Sequence, residues 1–331
     1  MKKIDLMRPK KLYDDILFQR EEDAKDFLAR YSGKFIEIQC PACGAEGINL
    51  FKKYGYSHKV CSQCKTFYCS PRPDSALLDF YYNNYKSLAM WTKLLLEADV
   101  ERKRIQYMPR AKKIIEIMKR SGINSAGTAF DIGAGSGAFA ACLKAEAFFR
   151  TVVALDLSKD CVDACKRSGI EASLGTIDNI DQKSASLISI NDLIEHLFDP
   201  VTFLVSCNQA LETQGFISIA TPNGEGFDFK ILKEQTKNIT PPEHLNYFNP
   251  VSIARLLERA GFEPVSVETP GELDVDIMFK EKKSGLIMGK NEFLDFLLGQ
   301  DEQVLRNFQK FLSENRLSSH MLVVARKKKG L

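Results

Sequence analysis

The chain has no run of about 18 apolar residues, so no membrane-crossing helix is expected in its 331 residues. The N-terminus, MKKIDLMRPKKLYDD, lacks the apolar core of a secretory signal, and a cytoplasmic location is the expectation. Charge of one sign is scarce: 46 Lys and Arg against 43 Asp and Glu leave a net +3, too little to imply nucleic acid. The basic residues cluster at Lys2 to Lys11, Arg102 to Lys113 and Arg326 to Lys329, which read as solvated helix faces and a frayed tail. No internal repeat occurs. Histidine is rare, with four in the chain, so each can be considered individually. A composition of 44% hydrophobic and 27% charged residues excludes a mostly disordered chain, and the length suggests about two domains.

Cysteine, by contrast, is plentiful and concentrated. Nine are present, an odd count without a secretion signal, which argues against a disulfide framework. Cys142, Cys161, Cys165 and Cys207 lie in apolar segments and read as small buried residues. Cys40-Pro-Ala-Cys43 and Cys61-Ser-Gln-Cys64, separated by 17 residues, form two knuckles whose four thiolates suit tetrahedral Zn²⁺. Four thiolates leave no open position, so such a zinc would be structural. Cys69 and His58 are substitute ligands that the spacing disfavours. Free thiols or a redox pair are the alternative.

Along the chain, an amphipathic helix is expected around Ile16 to Tyr31. Residues 36–73 are rich in Cys, Gly, Pro and aromatics and are too few to build a core without a staple. Asp74 or Ser75 caps a helical region running to about Lys119. From Gly127 short apolar runs alternate with helical stretches, the texture of a parallel α/β sheet. Residues 271–316 interrupt it with charged, helical sequence, and 320–327 form a final strand. The expected organisation is residues 1–73 as helix plus zinc module, 74–120 as a helical linker or cap, and 121–331 as a ligand-binding domain.

Phe130-Asp131-Ile132-Gly133-Ala134-Gly135-Ser136-Gly137 links a strand to a helix. Glycines there let backbone approach a ligand at a helix N-terminus. Asp156, 19 residues after Gly137, ends the next strand, where a carboxylate can accept from both ribose hydroxyls. Gly133, Gly135 and Ala138 also fit a dinucleotide motif. Asp131, placed to face a cationic ligand, and the motifs further on favour another reading.

The run Phe130 to Gly137 resembles motif I of class I S-adenosylmethionine-dependent methyltransferases. Asp156 is similar to their ribose-binding acid. The segment Ile190 to Pro200, which contains Asp192, Glu195 and His196, resembles the stretch after their fourth strand, and Thr221-Pro222-Asn223 the end of their fifth. Pro242-Glu243-His244-Leu245-Asn246-Tyr247-Phe248, followed by a helix ending Ala260-Gly261-Phe262, is similar to the C-terminal signature of a large subfamily. The resemblance implies a Rossmann-like seven-stranded α/β domain that binds S-adenosylmethionine. Its cofactor residues would be Asp131, Gly133, Gly135, Gly137, Asp156 and Asp192, with Asp178 near the adenine. Asp192 and Glu195 equally suit helix capping.

The zinc module followed by Pro71-Arg72-Pro73 through Phe80, Tyr81 and Tyr85 resembles enzymes that methylate deoxysugar nucleotides. By that resemblance Tyr81 or Tyr85, on one helix face, reaches the cofactor's methionine end or the acceptor, core packing being the alternative. The chain has Pro241 where those enzymes carry a tyrosine, which favours O-methylation over C-methylation. A sugar, sugar nucleotide or surface-polysaccharide precursor is the implied acceptor.

A base with a pKa near 7 suits a hydroxyl acceptor, and histidine fits. His244 is the first candidate, with Glu243 orienting it or contacting substrate, and His196 the second. The alternative is that Glu243-His244 holds a loop in place by hydrogen bonds. His58 belongs to the cysteine module and His320 reads as structural. Asn223 to Pro242 is long for a strand–helix connection and has the length of a lid. Two rival functions remain: an RNA methyltransferase using Arg102 to Lys113 as a phosphate-binding face, and a non-catalytic S-adenosylmethionine-binding protein. Residues 271–316 would cover the acceptor site or form a homodimer contact.

Overall fold

The computed structural model describes residues 3–287 and 291–328. Lys2 and Lys329, the outer members of two basic clusters, lie outside them. Among the described residues there are eleven strands: β1 Gly47–Lys53, β2 Tyr56–Cys61, β3 Phe67–Cys69, β4 Ala126–Ile132, β5 Phe149–Asp156, β6 Glu171–Leu174, β7 Ala185–Asn191, β8 Leu211–Pro222, β9 Asn246–Tyr247, β10 Phe262–Glu268 and β11 His320–Lys327.

Seven of them form one sheet in the order β10-β11-β8-β7-β4-β5-β6. The pairs β8–β7, β7–β4, β4–β5 and β5–β6 are parallel, whereas β11 runs antiparallel between β8 and β10. β7 is buried along nearly its whole length, as expected of a strand covered on both faces. The chain leaves β4 toward β5 and β6, then returns to β7 on β4's other side. That reversal opens a crevice beyond the C-terminal ends of β4 and β7, where open α/β sheets bind ligands.

Each face carries its own core. Helices Met108–Arg120, Ala138–Ala145 and Lys159–Arg167 cover one face through Ile114, Met118, Phe139, Leu143 and Val162. Helices Pro200–Ala210 and Pro250–Arg259 cover the other through Leu204, Ile253 and Leu256, and that core runs on into Cys40, Cys61, Cys64 and Tyr68. Cys142, Cys161, Cys165 and Cys207 are buried.

The cysteine-rich segment forms a second sheet, β1-β2-β3-β9. Its last strand comes from far along the chain: Tyr68 pairs with Asn246 and Phe67 with Tyr247. The segment preceding β9 carries Glu243 and His244, so this small sheet helps position them.

Two expectations change. The N-terminal helix is longer than its expected Ile16 to Tyr31: it spans Lys10–Tyr31, after a short helix Lys3–Met7. In the basic stretch Arg102 to Lys113, Arg104 and Lys112 are exposed, but several of the other cations are engaged within the protein. Arg102 is buried with its guanidinium on the Tyr107 hydroxyl, Arg110 reaches Asn191, and Lys103, Arg104 and Lys113 pair with Asp99, Glu101 and Glu268. Helices Asp274–Lys283, Glu292–Leu298 and Glu302–Glu314 of the C-terminal insertion share a separate core with Leu232, Val275, Met278, Leu294 and Leu305. No helix among the described residues is long and apolar enough to cross a membrane.

Candidate active site

The glycine loop leaves β4 at the crevice. Gly133 and Ala134 donate to the Leu155 carbonyl at 2.8 and 3.1 Å, tying the loop to β5. Gly137 has φ +76°, and a Cβ there would sit 2.7 Å from the Cys165 sulfur, so only glycine fits. Asp156 braces the loop: one carboxylate oxygen accepts from Gly135 N at 2.9 Å and the other from Ser158 N at 2.8 Å. Asp178 is exposed in the short turn Ile177–Asn179 after β6, whose Leu174 is opposite Asp156 in the sheet.

Asp131, 1% exposed at the end of β4, accepts from Ser189 Oγ at 2.8 Å and Asn191 Nδ2 at 3.2 Å, both on Oδ1. Burial pushes its carboxyl up to about 7, against those two hydrogen bonds and the nearby Arg110. Arg110, Ser189 and Asn191 escaped the sequence reading. Ser189 and Asn191 could have been found: they alternate along β7, as inward neighbours of an acidic strand end would.

Asp192 follows β7 with φ +51°, a left-handed conformation that Asp tolerates better than most residues. Its carboxylate is 2.8 Å from His320 Nε2. Burial alone would raise its pKa, but His320, Arg110 and Arg102 outweigh this and hold it well below the usual carboxylate range. His320 was expected to be structural. Because β11 is antiparallel, its first residue lies opposite Pro222, at the ligand edge of the sheet.

His196 and His244 stand face to edge, with ring centroids 4.7 Å apart. The Asn238 carbonyl accepts from His244 Nδ1 at 2.8 Å. The Tyr82 hydroxyl lies 3.2 Å from His196 Nδ1 and 3.3 Å from the Glu243 carbonyl. The Asn238 carbonyl gives His244 the Nδ1–H tautomer, while the direction of the Tyr82–His196 bond follows the tautomer of His196. Burial holds both imidazoles below their ordinary pKa, and for His244 the neighbouring His196 and Arg20 add to it. Glu195 is buried, one oxygen accepting from Thr221 Oγ1 at 2.9 Å and Oε1 without a partner. Burial and the charge of Asp192 raise its pKa well above the ordinary value.

Glu243 does not orient His244. Its carboxylate pairs with Arg20 of the N-terminal helix at 2.8 Å and accepts from Ser87 Oγ of the helix Lys86–Glu97 at 3.1 Å. Arg20 looks in the sequence like an ordinary surface charge, yet its side chain is 9% exposed. Tyr85, expected at the cofactor's methionine end, donates to Asp26 at 2.8 Å instead. Leu95, near Gly135, lies at the opposite end of the helix Lys86–Glu97, roughly 15 Å along its axis at about 1.5 Å per residue. Tyr81 is buried and stacks on Tyr85 in the core beneath the N-terminal helix.

Cys40, Cys43, Cys61 and Cys64 converge with their sulfurs all within 4.8 Å of one another. Burial would raise the Cys61 thiol, but the N–H groups of Cys64 and Gln63 pull it down to about 7. The donor set and its convergence fit a tetrahedral metal. His58 is apart from this group, buried between Phe51 and Phe67, and Cys69 is buried with its thiol on the Pro71 carbonyl.

The seven-stranded sheet with its one antiparallel strand, and the glycine loop at its reversal point, define a class I S-adenosylmethionine-dependent methyltransferase. The chain belongs to the methyltransferase domain family, which matches residues 85–267. No curated protein matches it. Among solved structures, the complex between the Haloferax volcanii Trm112 methyltransferase activator and a methyltransferase aligns at TM-score 0.50 and 16% identity, over 73% of this chain and 96% of the other. An Archaeoglobus fulgidus SAM-dependent methyltransferase aligns at TM-score 0.43 and 18% identity, over 66% and 94%. At these identities the likeness is one of fold.

Proposed function

We infer that the chain transfers a methyl group from S-adenosylmethionine to a hydroxyl of a small-molecule or glycan acceptor: a sugar, sugar nucleotide or surface-polysaccharide precursor. The observation that carries the hydroxyl acceptor is the pair of neutral imidazoles, His196 and His244, at the ligand edge of the sheet. The sugar class rests on the resemblance of the cysteine module and the Pro71 to Tyr81 segment to deoxysugar-nucleotide methyltransferases. The inward turn of Arg102 and Arg110 weighs against an RNA acceptor.

The cofactor supplies an electrophilic methyl group on a sulfonium. In this reading the backbone of Gly133, Gly135 and Gly137 lies against it, Asp156 accepts from the ribose hydroxyls, and Asp178 lies on the adenine side. Asp131 faces its cationic end and Asp192 lines the crevice. His244 Nε2, opposite the nitrogen held by Asn238, takes the acceptor's proton as the oxygen attacks. Alignment contributes several kcal/mol, and the base a further ~10²–10⁴-fold. Cys40, Cys43, Cys61 and Cys64 hold a structural Zn²⁺. Residues 1–73, 74–120 and 121–331 are the proposed units, with the insertion at about 271–316.

The test is incubation with methyl-labelled S-adenosylmethionine and cell extract, followed by separation of sugar nucleotides, glycans, RNA and protein. Label in the sugar or glycan pool is expected. Label in RNA, or none together with absent cofactor binding, overturns the reading.

Asp131→Asn tests the cofactor site separately. In the free protein Asp131 holds its proton up to about pH 7, and a cationic ligand must displace it. S-adenosylmethionine affinity, followed by calorimetry, is therefore expected to fall as pH drops below 7, by up to about tenfold per pH unit. The Asn variant should bind more weakly and show no such dependence. Its free form should be more stable above pH 7. A carboxyl raised from 3.8 to about 7 favours the folded state only while protonated, and the variant removes a penalty of about 4 kcal/mol.

A further inference from the structure

We propose that Glu195, His196 and His244 form a divalent-cation site within the acceptor pocket, with the acceptor's hydroxyl oxygen as a further ligand. The proposal rests on the methyl-acceptor reading above and deepens it. It gives His244 a ligand's role in place of a base's.

One donor atom from each residue lies within 4.8 Å of the other two. The stronger observation is what holds the rest of each side chain. The Asn238 carbonyl accepts from His244 Nδ1, and the Tyr82 hydroxyl holds His196 Nδ1 at 3.2 Å. Thr221 Oγ1 occupies Glu195 Oε2. Metal-bound histidines and carboxylates characteristically have their outer atoms fixed in this way. What remains is the other ring nitrogen, Nε2, of each histidine, and Oε1 of a glutamate that is 1% exposed and has no partner for that oxygen. A buried carboxylate oxygen left bare is costly, and a cation would satisfy it.

The backbone is held as firmly. Glu195 and His196 lie in the turn Ile194–His196. The Glu195 carbonyl accepts from Leu245 N at 2.8 Å, and the Asn246 amide donates to the Leu197 carbonyl at 2.8 Å. These bonds fix the loop after β7 against the segment that carries His244. Of the nearby cations, Arg20 is neutralised by Glu243 at 2.8 Å, and Arg110 is offset by Asp192. The charge of Asp192 also reaches Glu195.

Two imidazoles and one carboxylate leave coordination positions open, the donor set of first-row divalent ions that act on a bound substrate. A hydroxyl on such an ion loses its proton more readily. The O–H bond breaks with the proton passing to water. The oxygen's electron pair then forms the new O–C bond as the sulfonium C–S bond breaks, giving a methyl ether and the neutral thioether.

Co²⁺ titration of the purified full chain tests this. Co²⁺ at the four cysteines would give intense thiolate charge-transfer bands, whereas nitrogen and oxygen ligands give only ligand-field bands. Wild type is expected to bind one Co²⁺ of the second kind. Glu195→Gln and His196→Ala are expected to weaken that site roughly 100-fold or more, with the thiolate bands unchanged and S-adenosylmethionine binding retained by calorimetry as the check on folding. A wild type without the second site, or either folded variant binding as wild type does, overturns the proposal. Transfer that persists in EDTA but is lost in His244→Gln also overturns it and leaves the base reading intact. Co²⁺ binding as expected, with no methyl acceptor in any pool, upholds the site and sinks the acceptor reading.

Discussion

If Cys40, Cys43, Cys61 and Cys64 hold the proposed zinc, stripping it is expected to unfold residues 36–73 and to abolish methyl transfer. A structural zinc supplies about 10–16 kcal/mol in small peptides at neutral pH, comparable to the whole stability of many domains. A segment of this size has little other means of holding two knuckles together. The loss would not stay local. β3 pairs with β9 through Phe67 and Tyr68, Asn249 Nδ2 donates to the Cys64 carbonyl at 2.9 Å, and Arg259 donates to the Ala42 carbonyl at 2.7 Å. Arg72, itself within the segment, donates to Asn246 at 2.7 Å and to the Phe198 carbonyl. His244 precedes β9 by two residues, so the pocket loses one wall. Released zinc can be followed with a chromogenic chelator beside thermal unfolding and transfer. Full release with unchanged melting and turnover would show that the cluster is not structural. Cys61→Ser should reproduce the chelated state.

Much of this architecture is legible in the residues, and the physical reasons for the gaps are specific. β4, β5, β7 and β8 read as strands because fully covered parallel strands are continuous apolar runs. The glycine loop reads because φ > 0 and close packing on Cys165 admit only glycine at Gly137. The two knuckles read by their spacing. β9 does not: two residues have no periodicity, and Asn246–Tyr247 becomes a strand only because β3 offers an edge. Arg20 and Glu243 are 223 positions apart, and nothing local marks either as buried. His320 illustrates another gap. Its place at the start of a strand is legible, but its place at the ligand edge depends on the antiparallel sense of β11. Tyr81 and Tyr85 do share a side, as helical spacing predicts, but the N-terminal helix claims it for packing.

His244→Gln is expected to lower kcat about 10²–10⁴-fold, with S-adenosylmethionine affinity nearly unchanged because the cofactor loop lies elsewhere on the edge. Glutamine keeps a polar side chain of similar reach but can neither take up the proton, as the base reading requires, nor offer an imidazole nitrogen to an ion. The pH profile separates His244 from Asp131. Burial, His196 and Arg20 depress the imidazole well below its ordinary 6.5, so it stays neutral as pH falls through that value, and kcat at saturating cofactor should hold flat there. A histidine of ordinary pKa would lose half its competence at 6.5. The parameter kcat/KM for S-adenosylmethionine should instead decline from about pH 7, where Asp131 takes up its proton. Stability follows the imidazole in the opposite sense from the carboxyl. A histidine held neutral in the folded state is protonated first when unfolded, so its contribution is lost as pH drops below 6.5, whereas protonating Asp131 adds stability over part of the same range. A kcat limb at 6.5 would place the proton acceptor on a solvated group, and a kcat limb at 7 that disappears in Asp131→Asn would move Asp131 from cofactor binding into the transfer step itself.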